Sequence, residues 1–150
     1  LKDTADVPAT PLLGTDEPTT IYRARKGGQP VALVLEAIAP DGYAGKIRLI
    51  MAVNADGSVA GVRVTQHKET PGLGDYIEPK KDKNKQHPWI TQFSGLSYAA
   101  VTDKEWKLRK DGGRFDSVAG ATVTPRAVVK AVRKATRYVA ENQTQLYASK

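Results

Sequence analysis

The chain has 150 residues and a mass of 16.2 kDa, a size for one domain of about 100–200 residues with a real core. Lys and Arg total 23 against 16 Asp and Glu, a formal net charge of +7. The lack of cysteine excludes disulfides, thiolate zinc sites, iron–sulfur ligation, c-type haem attachment and thiol catalysis, and His67 and His87 are too few for a multi-histidine metal site.

Residues 1–18, with Pro8, Pro11 and Pro18, read as an irregular entry arm or linker, and residues 19–150 as the folded domain. Thr20–Arg25 has strand character. Lys26-Gly27-Gly28-Gln29 makes a turn, and Val31–Ile38 is a buried strand. The longest apolar-rich run, Pro30–Pro40, contains Glu36 and falls short of the ~20 residues that span a bilayer. A turn at Asp41-Gly42-Tyr43-Ala44-Gly45 leads into Lys46–Asn54. The hairpin chemistry of Asn54-Ala55-Asp56-Gly57 then joins that run to Ser58–Gln66.

From His67 to Asp111 the pattern is less regular. Thr70-Pro71-Gly72-Leu73-Gly74 forms a loop, and residues 80–85 a lysine-rich connection. Trp89–Phe93 fits one helical turn. Glu105–Arg109 alternates apolar and charged residues as an edge strand does. In the last third, Thr124 as N-cap and Pro125 at the first helical position start a helix that runs to about Asn142. Val128, Ala131, Val132, Ala135, Tyr138 and Val139 fall on one face, and Arg126, Lys130, Arg133, Lys134 and Arg137 on the other. The expected fold is α+β, an antiparallel sheet meander with a long C-terminal helix packed on it.

Three constellations could carry chemistry. Asp116–Thr124 brings small residues and hydroxyls to a helix N-terminus. It reads either as a tight loop before an ordinary capped helix or as a phosphate seat with a hydroxyl beside it. Gln66–Asp75 reads as a surface loop or as a place where Gly72 and Gly74 let a flat ligand approach the backbone. The basic helix face is a solvated stripe or a docking face for an acidic partner or anionic lipid. No aromatic residue interrupts it, which argues against nucleic acid. No G-x-S-x-G elbow, P-loop, Rossmann glycine fingerprint or H-E-x-x-H occurs, so no independent catalytic set is visible.

Three motifs stand in a familiar order: H-K-E-T-P-G-L-G-D at 67–75, W-I-x-Q-F-x-G at 89–95, and D-x-x-A-G-A-T-V-T-P-x-A-V-V-x-A-V at 116–132. From about Thr20 to Tyr138 the chain resembles the FMN-binding domains of the RnfG family, the G subunits of Rnf electron-transport complexes. It is similar, less closely, to the C subunits of sodium-pumping NADH:quinone oxidoreductases. The resemblance implies FMN joined through its phosphate to a threonine within [ST]-G-A-T. Here that motif reads Ala119-Gly120-Ala121-Thr122, so the matching acceptor is Thr122, and Ala119 departs from the pattern. It further implies that Gly120, Ala121, Val123 and Thr124 surround the attachment point, and that Glu69, Thr70, Gly72, Leu73 and Gly74 line the ring. The implied partners are the other subunits of an Rnf-type complex and a flavin transferase. The implied setting is the periplasmic side of the inner membrane, with an anchor upstream of Leu1. A non-redox module that docks an acidic partner through the basic helix is the competing expectation.

Overall fold

The computed structural model describes residues 3–118 and 121–148. Five strands form one antiparallel sheet in sequential order: β1 (Thr4–Val7), β2 (Thr19–Lys26), β3 (Gln29–Gly42), β4 (Gly45–Asn54) and β5 (Val59–Gln66). A single long helix, α1 (Val123–Tyr147), lies across it and packs chiefly on β3. The meander and the helix on it are therefore as the sequence predicts.

Alternation explains the sheet. Ile47, Leu49, Met51 and Val53 of β4 are buried, while Lys46 before them and Arg48 and Ile50 between them face out. Leu33, Leu35 and Ala37 of β3 share that inner face with Val59 and Val62 of β5. Every apolar position expected on the helix, from Val128 to Val139, is buried against this face. Pro30 and Pro40 lie in β3 where the register shifts, beside the Ala24–Arg25 irregularity and between Ala39 and Gly42, the kind of place where a strand accommodates proline.

Four expectations need correction. The entry arm is not irregular throughout: Thr4–Val7 pairs with β2, Thr4 opposite Tyr22 and Val7 opposite Thr19. Asp3 fixes this edge by accepting from Arg23 Nη1 at 3.0 Å and from Arg25 Nε at 2.7 Å. The Leu13 side chain enters the core beyond it, where Ile38 N–H donates to the Leu13 carbonyl at 2.8 Å. Glu105–Arg109 is not a strand. Its alternation arises because Trp106 and Leu108 plug the core from a loop that bonds to itself, Phe115 N–H to Lys107 O at 3.0 Å and Arg109 N–H to Phe115 O at 2.7 Å. A 3-10 turn at Arg109–Asp111 follows, whereas Trp89–Phe93 is the helical turn expected.

The helix start also differs, because Val123 is its first residue and Thr122 its cap. Its end lies beyond Asn142. Arg23 Nε donates to Leu146 O at 2.6 Å and Arg25 Nη2 to Tyr147 O at 2.7 Å, so two β2 arginines satisfy carbonyls that would otherwise fray.

Candidate functional site

One cavity of about 170 Å³ opens where three chain segments meet at the start of α1. Tyr43 lines it from the β3–β4 turn, Thr70, Leu73 and Gly74 from the loop after β5, and Ala121, Thr122, Val123 and Thr124 from the helix start. Sequence reasoning thus brings seven of the eight lining residues together and misses Tyr43. The signal available for it was an aromatic ring inside a glycine-flanked turn. Tyr43 is 71% exposed, and Leu73 and Val123 are also exposed at the mouth, so the rim is apolar.

A buried carboxylate holds the segments together. Glu69, 4% exposed, accepts from the backbone N–H groups of Tyr43 and Ala44, both at 3.0 Å, and from the Thr124 hydroxyl. Its own N–H donates to His67 Nδ1 at 2.9 Å, and His67 Nε2 lies 3.1 Å from Glu78 Oε1. Glu69 is not among the lining residues. It meets protein donors rather than the cavity, and its place is that of a clamp.

Thr124 is likewise not the N-cap. Its hydroxyl is drawn away to the Glu69 carboxylate, a charged and desolvated acceptor stronger than a backbone group. Thr122 occupies the cap position and makes no side-chain cap bond. Among the described residues, no acceptor meets the N–H groups of Thr122, Val123 or Thr124. Pro125 is the third helical residue and contributes no N–H.

The two loop glycines do different work. At Gly74 a Cβ would stand 2.5 Å from Thr124 Oγ1 and 3.3 Å from Glu69 Cβ, so glycine is what lets the clamp close. Gly72 does not line the cavity. It turns the loop at φ +79°, and its N–H donates to Asp75 Oδ1 at 3.0 Å. Gly120 lies outside the described residues.

The basic face is largely neutralised by acids distant in sequence. Arg126 forks onto Asp111 at 2.7 and 2.8 Å, Lys130 meets Asp41 at 3.0 Å, and Arg133 meets Asp103 at 2.9 Å. Arg137 pairs with Glu141 one turn on, at 3.0 Å. Four of the five basic residues named on this face are thus compensated within the chain. Arg126 Nη1 also lies 3.5 Å from Thr122 Oγ1, which brings a cation beside the helix start.

N–H groups at a helix start that meet no acceptor among the described residues, a threonine hydroxyl that makes no cap bond, the guanidinium beside it and an apolar rim together suit a ligand with an anionic end and a flat apolar body. The volume is small beside the ~300–1,000 Å³ of fully enclosing sites, so the cavity takes part of such a ligand and leaves the rest at the surface.

Comparison with known proteins places the chain in a family. The family model of the FMN-binding domain matches residues 42–137. The G subunit of the ion-translocating oxidoreductase complex of Pseudomonas aeruginosa (strain UCBPP-PA14) is 53% identical over 140 residues, 93% of this chain and 63% of that protein. Its namesake from Shewanella baltica (strain OS223) is 49% identical over 136 residues, 91% of this chain and 62% of the relative. The chain thus spans less than two thirds of the length of these relatives. The crystal structure of Shewanella oneidensis NqrC superposes with a TM-score of 0.64 at 23% identity, over 96% of this chain and 70% of that one, and shares the fold.

Proposed function

The chain belongs to the FMN-binding domain family, and we propose that it carries FMN in phosphoester linkage to Thr122 and serves as an electron-transfer subunit of an ion-translocating oxidoreductase complex. The observation that carries this reading is the cavity at the start of α1, with the Thr122 hydroxyl in its wall beside three backbone N–H groups that have no acceptor among the described residues. A phosphate there gains the helix dipole and the Arg126 guanidinium 3.5 Å from Thr122 Oγ1. FMN, once bound, supplies the redox chemistry. Residues of the chain hold the phosphate end at Thr122, Val123 and Thr124 and offer Tyr43, Thr70 and Leu73 to the ring. Glu69 and Gly74 keep those walls in place.

The subunit role draws on the names of the relatives at about 50% identity. In this reading the other complex subunits are partners, and a flavin transferase matures the protein. A segment outside residues 1–150 ties the domain to the inner membrane, with the domain on the periplasmic side. No described helix is long and apolar enough to cross a membrane. Docking of an acidic partner through the basic helix loses its motive, since acids already meet Arg126, Lys130, Arg133 and Arg137.

The test is a mass spectrum of the protein made together with a flavin transferase. The wild type is expected to gain the mass of one FMN ester, and Thr122→Val to gain none while folding normally. An unmodified, colourless wild type under those conditions would overturn the proposal.

A further inference from the structure

The Tyr76 hydroxyl ties together the two sides of the segment that precedes Thr122. It donates to Ala121 O at 2.8 Å and accepts from Val118 N–H at 3.3 Å, on either side of residues 119 and 120. Ala121 N–H in turn donates to Val118 O at 3.1 Å. The Ala121 carbonyl and the Thr122 N–H belong to one rigid peptide plane. Fixing that carbonyl therefore fixes where the Thr122 N–H points and where the Thr122 Cα stands, and leaves only the Thr122 φ and χ1 angles to aim its hydroxyl.

Tyr76 is itself held. Its ring is buried and meets Trp89 edge-on, with centroids 5.9 Å apart. Trp89 N–H donates to the buried Asp82 carboxylate at 2.6 Å, and Trp89 Nε1 donates to Asp116 O at 2.5 Å. Gln92 Oε1 accepts from Asp116 N–H at 2.8 Å. Two short 3-10 turns, Gly74–Ile77 and Trp89–Phe93, thus grip the strand of chain that leads to Thr122. Burial pushes the Tyr76 phenol pKa up, so the hydroxyl keeps its proton, and its role as donor, at neutral pH.

We propose that Tyr76 is the positioning residue for covalent flavin attachment, holding the Ala121–Thr122 peptide so that the threonine hydroxyl is presented to the transferase before any flavin arrives. The inference rests on the reading of Thr122 as acceptor. In the attachment step the Thr122 oxygen attacks the flavin-side phosphorus of a flavin dinucleotide. The Oγ–P bond forms and the anhydride P–O bond breaks. A nucleoside monophosphate leaves with the electron pair, and the hydroxyl proton passes to a base on the transferase. Tyr76 touches none of these atoms and acts through the peptide plane alone.

The experiment compares wild type, Tyr76→Phe and Thr122→Val in two measurements. The first is the rate of mass gain with transferase and a flavin dinucleotide. The second is amide hydrogen exchange in protein that carries no flavin. Tyr76→Phe keeps the ring against Trp89 and loses only the hydroxyl. Its attachment rate should fall roughly tenfold, and exchange at Val118 and Ala121 should quicken by a similar factor, with α1 beyond its first turn unchanged. A wild-type rate in Tyr76→Phe would overturn the inference, whatever exchange does. So would faster exchange along the whole of α1, which would mark a general structural loss. A wild type that never gains mass would instead overturn the reading of Thr122, and the exchange measurement would still report on the tie.

Discussion

Two threonines two positions apart have opposite weights. Thr124 is 3% exposed and donates to Glu69, whereas the Thr122 hydroxyl makes no cap bond. Thr124→Val should lower stability by about 1.5–3 kcal/mol, the range for a bond to a charged partner, and Thr122→Val should stay within about 0.5 kcal/mol. Denaturant midpoints of the two variants check this, and equal midpoints would refute the clamp. The loop glycines make a second contrast. Gly74→Ala forces a methyl group onto Thr124 Oγ1 and should cost about 1–3 kcal/mol while loosening the Tyr43 turn. Gly72→Ala meets nothing within 4 Å and pays only for its φ of +79°, about 1–2 kcal/mol. Faster amide exchange at Tyr43 and Ala44 in Gly74→Ala alone would separate the two causes. The H-K-E-T-P-G-L-G-D run marks these residues in the sequence, but which of them face the cavity depends on atoms 55 positions away.

At the scale of elements, the ends of α1 are set by other parts of the chain. Arg126 joins its first turn to the 109–111 turn through Asp111, and the Arg126 guanidinium holds the Asp111 carboxyl below its ordinary 3.8. A depressed carboxyl contributes stability that is present above its unfolded value and lost as pH falls through the folded one. Acid below about pH 4 should therefore weaken this joint, and Asp111→Asn should remove that part of the acid dependence. Melting temperatures of the two proteins between neutral and acid pH test it; parallel curves would count against the joint. The 3.6-residue period predicts which face of α1 is buried because burial repeats with the turn of the helix. It says nothing of where the acids that meet Arg126, Lys130 and Arg133 come from.

For the whole molecule, the segment before β2 belongs to the sheet and the core. Removing residues 1–18 should expose the β2 edge and leave the Val7 and Leu13 side chains out of the core, a loss of about 3–6 kcal/mol at ~1.5–3 kcal/mol for each. Unchanged unfolding of the shortened chain would restore the linker reading. Local patterns settled most of the sheet and the helix. Alternation, the Asn54–Gly57 turn and the apolar period are written within a few residues of the elements they specify. The motifs at 67–75 and 116–132 supply seven of the residues that line the cavity, but read locally each also allowed an ordinary loop or a capped helix. Tertiary structure alone decided that Thr4–Val7 is a strand, since its partner lies across an irregular stretch with no hairpin turn between them. It alone turned the 105–109 alternation into a core plug, drew the Thr124 hydroxyl to Glu69 and put Tyr76 beneath Ala121. Each of these depends on a buried polar or apolar group finding a partner far along the chain, and burial sets which partner it finds.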